Sequence, residues 1–409
     1  MSELDRREEL EQETPEPVHG GDYAPSVASR LTARYRAGGI VTPIITTIVA
    51  FLAGGIVVGA TGHDPLTAYR SIFNGTGLNW FFPWVLGHGR GVAAMNLQQT
   101  LLQTTPLILT GLAVAFAFRC GLFNIGGEGQ YLVGAYVAIF VGSSWVNMAG
   151  PAHVFLAVAL AALAGAAWGG IAGFLKATTG AHEVISTIML NWIAVWVGQY
   201  FYGLSGPFQG PDKFNPISAN VASGAKLPVF WGDPNLQGLD VGLFIALGAL
   251  VVFWALLNRT TLGYEVRAVG FNPAAAEYGG ISVKKNYFLA MAISGLFAGL
   301  AGAMDILGWE FNLSDPAILT SNIGFIGVAV ALLGRNTAIG TFLGALLFGA
   351  LYVGTSSRNS GLSIDPQLTQ NLTLIIQGLV VLFVGADLLV IAVWDSRKSL
   401  ARRLRRAPA

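Results

Sequence analysis

Ten stretches of this chain are apolar over the length that crosses a lipid bilayer, and almost none of its charge falls inside them: 40–60, 99–117, 128–147, 154–175, 183–203, 241–258, 287–307, 321–334, 337–354 and 372–394. A spanning helix needs roughly 20 mostly apolar residues to cross about 30 Å of hydrocarbon. These stretches hold 197 of the 409 residues but only four charges, Glu128, Glu183, Asp305 and Asp387, and no Lys or Arg. The other half carries the remaining 41 charged residues, the segregation that a bilayer imposes. Charged residues make up 11% of the chain, against roughly 25% in a soluble domain. That excludes a soluble globular enzyme, a nucleic-acid binder and a disordered protein. The single cysteine, Cys120, excludes a disulfide framework and a cysteine zinc site. The expected fold is therefore all-α, a polytopic membrane protein with about ten transmembrane helices.

The flanks divide the chain further. Residues 1–39 read as a disordered cytoplasmic tail, because residues 1–22 are acidic and polar with no apolar core for a signal peptide. Residues 40–395 form the membrane domain, and residues 396–409 a basic cytoplasmic tail. With both termini inside, 18 Lys and Arg lie on the inner face and five on the outer. The positive-inside rule and the even number of spans both favour that orientation. Asp305 and Asp387 fall near span ends, where an interfacial position is expected.

Two segments resemble each other. Asn124-Ile-Gly-Gly-Glu-Gly129 opens the third span and Asn322-Ile-Gly-Phe-Ile-Gly327 opens the eighth, 198 residues apart. Both fit N-I-G-x-x-G, and an odd number of spans separates them. Spans two to five and seven to ten then form inverted repeats, an arrangement that recurs in transporters. The eighth stretch is short and the approach to the third is glycine-rich, so both read as broken or re-entrant helices, which mark pathways in such folds.

The residues for chemistry are few. No G-x-x-x-x-G-K-[ST] occurs, so a nucleotide P-loop is absent. His182-Glu183 lacks the second histidine of a zinc-protease helix, and no G-x-S-x-G is present. The polar residues within or beside spans have two readings each. Glu128 and Gln130 line a pathway, or Glu128 serves the free N–H groups and the dipole of its own helix start. Glu183 has the same alternatives. Asn191, beside Trp192, bonds substrate or a neighbouring helix. Asn124 and Asn322 sit at the breaks, where backbone satisfaction competes with ligand contact. In the inner loop 259–286, Asn272 is an N-cap, Pro273 suits the first helical position, Ala274 to Tyr278 is a helical run, and Gly279 or Gly280 ends it. A short helix of small residues on the inner face is suited to docking on another protein.

Three motifs carry a family resemblance. Phe123-Asn-Ile-Gly-Gly-Glu-Gly-Gln130, Glu183-Val-Ile-Ser-Thr-Ile-Met-Leu-Asn191 and Gly263-Tyr-Glu-Val-Arg-Ala-Val-Gly270 through Ile281 resemble segments of the permease subunits of ABC importers of the branched-chain amino acid, ribose and nucleoside type. The second motif is similar to that of the nucleoside subgroup. The resemblance spans roughly residues 40–395; the acidic N-terminal extension departs from it. It implies a multi-pass protein of the bacterial plasma membrane, working by alternating access with a second permease, two ATP-binding subunits and an extracytoplasmic substrate-binding lipoprotein. ATP and Mg would be used by those ATPase subunits, with no cofactor, metal or nucleic acid in this chain. Asn124, Glu128, Gln130, Glu183, Asn191, Trp192 and Asn322 would then be candidate pathway residues. Arg267, Gly270, Asn272, Pro273, Ala274, Ala275, Ala276, Glu277, Tyr278 and Gly279 would couple to the ATPase. The outer loops 61–98 and 204–240, with Trp80, Trp84, Phe208 and Trp231, would face the lipoprotein or hold interfacial aromatics. A sugar permease is the near alternative. An ion-coupled secondary transporter is the more distant one, with only Glu128 and Glu183 to serve it.

Overall fold

Apolar runs without proline or charge become helices because the backbone must satisfy itself in lipid. The computed structural model describes residues 41–144, 148–233 and 238–356, together with 374–376, 378, 379 and 382. The two tails and most of the tenth stretch, Asp387 included, lie outside the described residues. The helices are α1 (Val41–Ala60), α2 (Pro65–Gly75), α3 (Gly87–Arg119), α4 (Gly127–Ser144), α5 (Gly150–Thr179), α6 (Glu183–Tyr202) and α7 (Gly242–Arg259). They continue with α8 (Thr261–Phe271), α9 (Pro273–Tyr278), α10 (Val283–Asp305), α11 (Asp315–Thr320), α12 (Ile323–Leu333) and α13 (Ala338–Gly354). A two-stranded antiparallel ribbon, Val229–Trp231 with Leu239–Asp240, lies in the loop before α7.

Among the described residues, six helices are long and apolar enough to cross a bilayer: Gly89–Arg119, Gly150–Thr179, Glu183–Tyr202, Gly242–Arg259, Val283–Glu310 and Asp315–Leu333. Thr47–Ala60 and Ala338–Gly354 are shorter apolar helices. The α4 helix falls below that apolar standard because it is enclosed by protein. Thirteen of its residues are buried, and it packs on α5, α6, α10 and α12. One boundary differs from expectation. The second helix begins at Gly87 rather than 99, because its first three turns are polar and glycine-rich. The span Asp315–Leu333 comprises α11 and α12 with a break at Ser321-Asn322, and the eighth stretch, 321–334, holds only α12.

Small residues set the closest approach. A Cβ on Gly295 of α10 would lie 2.1 Å from the Gly165 carbonyl of α5, and one on Gly299 would lie 2.5 Å from that of Ala161. Backbones this close leave no room for a side chain, and this is how apolar helices associate without a hydrophobic drive. The run Gly165–Gly173 lies along this seam.

At the C-terminal end of α10 the chain makes a π-helical turn, Ile306–Glu310. Asp305 was expected at the interface; the structure buries it. Its carboxylate accepts from the Tyr131 hydroxyl at 2.7 Å and from Trp309 Nε1 at 3.0 Å. One donor comes from the next turn and the other from α4, 174 residues away, and together they satisfy the buried carboxyl oxygens. Residues 217–227 then zip against this end: Ser218 N donates to the Leu313 carbonyl, Val221 N to Phe311 and Leu227 N to Leu307, all at 2.8 Å. The loop aromatics pair within the chain. Trp80 packs edge-on to Trp231 and Phe208 stacks on Phe201, whereas Trp84 is exposed.

Replacing Gly295 with Val forces the α5–α10 seam apart, at a cost on the order of 3 kcal/mol. Thermal unfolding in detergent should show a large loss for Gly295→Val and little change for Gly248→Ala, where a Cβ meets nothing within 4 Å.

Candidate functional site

The two N-I-G segments meet inside the protein. Gly127 and Gly324 lie against each other, and a Cβ on Gly324 would stand 2.2 Å from the Glu128 nitrogen. Glycine at 324 is therefore required by the approach of the α12 start to the α4 start. Glu128, in the first turn of α4, reaches across and accepts from Gly324 N at 2.7 Å through Oε2. The Ser321 hydroxyl stands beside the same carboxylate. One buried carboxyl group thus faces the N-terminal ends of two helices. Thr110 of α3 supports the same junction, with its Oγ1 3.4 Å from the Ile323 carbonyl and its side chain filling the space beside Gly327.

The break before α4 is closed by amides. Asn124 is fully buried; its Oδ1 accepts from Gly126 N at 2.9 Å and from Gln130 Nε2 at 3.1 Å. Its Nδ2 donates to Gln130 Oε1 at 2.8 Å and to Ser294 Oγ of α10 at 2.7 Å. Ser294 in turn donates to the Ala113 carbonyl of α3 at 2.6 Å. From α6, Asn191 Oδ1 accepts from Gly129 N at 2.8 Å and its Nδ2 donates to the Ile125 carbonyl at 3.0 Å. Irregular backbone in a membrane protein needs this satisfaction.

The structure therefore brings Asn124, Glu128, Gln130 and Asn191 into one buried network, and three other expected residues stand outside it. Glu183 is at the start of α6, paired with Lys176 at 2.8 Å across the α5–α6 turn. Asn322 sits at the break, exposed, without a side-chain capping bond. Trp192 is 59% exposed and heads a ladder on α6 with Trp196 at 63% and Tyr200 at 67%. The latter two were missed by sequence reasoning, although their spacing of four places them on one helix face.

On the face carrying the 259–286 loop, the expected short helix forms as α9. Asn272 Oδ1 caps it by accepting from Ala275 N at 3.1 Å, Pro273 is its first residue, and Gly280 with φ +83° follows its end. Ala276 is buried, while Ala274, Ala275, Glu277 and Gly279 are exposed and Tyr278 is 97% exposed. The α8 helix before it was not foreseen. Thr260 caps it, its Oγ1 accepting from Gly263 N at 3.0 Å. Gly270 lies on the C-terminal end of α3, where a Cβ would be 2.3 Å from the Arg119 carbonyl. Arg267 turns inward, to the Leu257 carbonyl and Asn258 Oδ1 of α7. Among the described residues, no group of three His, Cys, Asp or Glu is placed to hold a metal.

Long apolar helices around a buried polar junction between two helix starts define a polytopic membrane protein. Residues 96–385 match the family of branched-chain amino acid transport system permease components, and the chain belongs to it. It is 38% identical to the guanosine ABC transporter permease NupP of Bacillus subtilis, over 86% of this chain and 94% of the relative. It is 34% identical to the nucleoside ABC transporter permease NupB of Lactococcus lactis, over 82% and 88%. It is also 34% identical to the glucose ABC transporter permease TsgB13 of Haloferax volcanii, over 84% and 86%. A second Bacillus subtilis guanosine permease, NupQ, matches at 29% over 63% of the chain and 81% of the relative. No solved structure matches.

Removing the Glu128 carboxylate leaves the buried Gly324 N–H unpaired, which costs about 1–3 kcal/mol. Glu128→Ala should therefore lower thermal stability in detergent by that amount. Glu128→Gln, which keeps an acceptor oxygen, should lose less.

Proposed function

We propose that this chain is the permease subunit of an ATP-driven importer of nucleosides, working by alternating access in the bacterial plasma membrane. The observation that carries the substrate class is the 38% identity to a guanosine permease over 94% of that relative's length. The occurrence of two guanosine permeases in one bacterium supports a second, paralogous permease as partner. Two ATP-binding subunits supply ATP and Mg chemistry, and an extracytoplasmic lipoprotein delivers substrate. The full membrane domain has ten spans with inverted repeats and both termini cytoplasmic, a reading supported by the ten apolar stretches and the basic residues favouring one face.

The pathway runs along the outward face of α6, against the second permease. Trp192, Trp196 and Tyr200 form the ladder there, and the flat faces of nucleobases stack on such rings. Asn124, Glu128, Gln130 and Asn191 act on transport as the pivot beneath that face, with Glu183 and Asn322 at its margins. Movement enters at α9, which docks on the ATPase through its exposed alanines and Tyr278. It passes from Gly270 to Arg119 and Cys120 at the end of α3, and from there along the short link to Asn124. Arg267 holds α8 to α7 so that the elbow moves as one piece.

Sugar import is the second reading, favoured by the identity to the glucose permease. Proteoliposomes containing the chain, its partner permease and both ATPases, with the lipoprotein outside, test the two. Guanosine uptake should require ATP, and glucose should neither enter nor compete. One stacked base is worth about 1–3 kcal/mol, so Trp196→Ala should lower guanosine uptake roughly five- to hundredfold. Ala275→Trp should abolish it while the membrane domain stays folded. ATP-driven glucose uptake without guanosine uptake would reverse the substrate assignment.

A further inference from the structure

Arg119 and Arg267, brought together from the ends of two different helices, line one pocket of about 180 Å³. It lies between the ends of α3 and α7, the α8 helix and the start of α13. That volume has room for several waters or for the oxygens of a phosphate group.

The bonding of the two guanidiniums is unusual for partly buried cations. Arg119 Nε and Nη2 both donate to one oxygen, the Asn336 carbonyl, at 3.0 and 2.7 Å. Arg267 directs Nη1 to the Leu257 carbonyl and Asn258 Oδ1. Each guanidinium has five N–H donors, so these bonds leave three on each side chain. Among the described residues no carboxylate pairs with either; the salt bridges there join Lys176 to Glu183 and Lys285 to Glu265. Two like charges at one partly buried place, held only by neutral oxygens, call for an anion.

The rest of the wall defines what kind. Ala338, the first residue of α13, lines the pocket, so the positive end of that helix opens there. Asn336 also lines it and keeps its buried side-chain oxygen without a hydrogen-bond partner. The pocket therefore presents one acceptor next to its donors, which suits a phosphate carrying a hydroxyl group nearby. The α7 side is apolar, with Trp254 and Leu257, and Trp254 is half-exposed beneath the Arg259 guanidinium at 5.4 Å. Cations at one end and an apolar wall at the other match a headgroup with acyl chains. A tryptophan at that depth marks the water–lipid boundary.

We propose that this pocket binds a phosphate ester, supplied in the membrane by the headgroup of an anionic phospholipid. The lipid bridges α3, α7, α8 and the α12–α13 turn, so it fastens the elbow that carries α9. Its assignment to the inner leaflet rests on the orientation proposed above; the binding itself does not. Basic pockets between spanning helices are suited to such headgroups.

The test uses the full chain with its co-purifying subunits, delipidated in detergent and then supplied with phosphatidylglycerol, phosphatidylcholine or glycerol 3-phosphate. Bound molecules are counted by native mass spectrometry and the melting temperature is recorded. Phosphatidylglycerol should be retained and raise the melting temperature. Phosphatidylcholine, whose choline cation would approach the arginines, should bind at least tenfold more weakly. Millimolar glycerol 3-phosphate should change neither reading. Arg267→Gln should weaken phosphatidylglycerol retention at least tenfold, and because Arg267 also holds α8 to α7, the melting temperature of the delipidated variant is recorded beside it and should stay near that of the delipidated wild type. Binding of glycerol 3-phosphate as tight as that of the lipid would make this a soluble-phosphate site and overturn the lipid assignment. No retained phosphatidylglycerol, or wild-type retention in Arg267→Gln, would overturn the phosphate site altogether. These readings need no transport, so failure of the importer assignment and failure of the lipid site are separable.

Discussion

A single carboxylate, Glu128, lies between the N-termini of two helices that start 196 residues apart in the chain. A polar group in so dry a place is unfavourable unless partners compensate it. Here the compensation is backbone: the Gly324 N–H at 2.7 Å and the positive ends of α4 and α12. The same bond explains the other demands at the junction. The helix starts can come this close only because positions 127 and 324 are glycine. The backbone that bends into α4 needs Asn124 from its own segment and Asn191 from α6 to satisfy it.

The elements around the junction fix its position. Ser294 ties Asn124 to α10 and α3, and the glycine seam ties α10 to α5. These are contacts of backbone with backbone or bonds made by short side chains, so they have little freedom to relax gradually. A change of state at such a junction moves whole helices. The end of α3 connects it to the surface, since Gly270 of α8 rests on the Arg119 carbonyl and Gly121 packs on Gly270. That continuity is the physical basis for reading α9 as the place where force enters.

Much of the fold was legible because lipid enforces it. Runs without charge become helices, and the stretches at 40–60, 154–175, 183–203, 241–258 and 337–354 appear as α1, α5, α6, α7 and α13 with ends shifted by a few residues. The capped helix at Asn272-Pro273 was legible because its signals are local. The α2 and α8 helices were not, because they are short and mix polar with apolar residues, and tertiary packing decides them. For the site, the repeated N-I-G identified both breaks, but nothing in one sequence says that the breaks touch. Asp305 was misplaced for the same reason: its donors, Tyr131 and Trp309, lie on other turns and other elements. Arg119 was counted only as an inner-face charge, since its fork on the Asn336 carbonyl depends on a contact 217 residues away.

The claim at the centre of this account is that the start of α12 is held by Glu128, and amide hydrogen exchange reads that bond directly. The peptide containing residues 322–327 should exchange slowly in the wild-type protein in lipid nanodiscs. In Glu128→Ala the Gly324 amide should exchange much faster, while peptides from the α5–α10 seam keep their protection. Equal exchange of residues 322–327 in the two proteins would contradict the account and show that the two helix starts are held together by something other than this carboxylate.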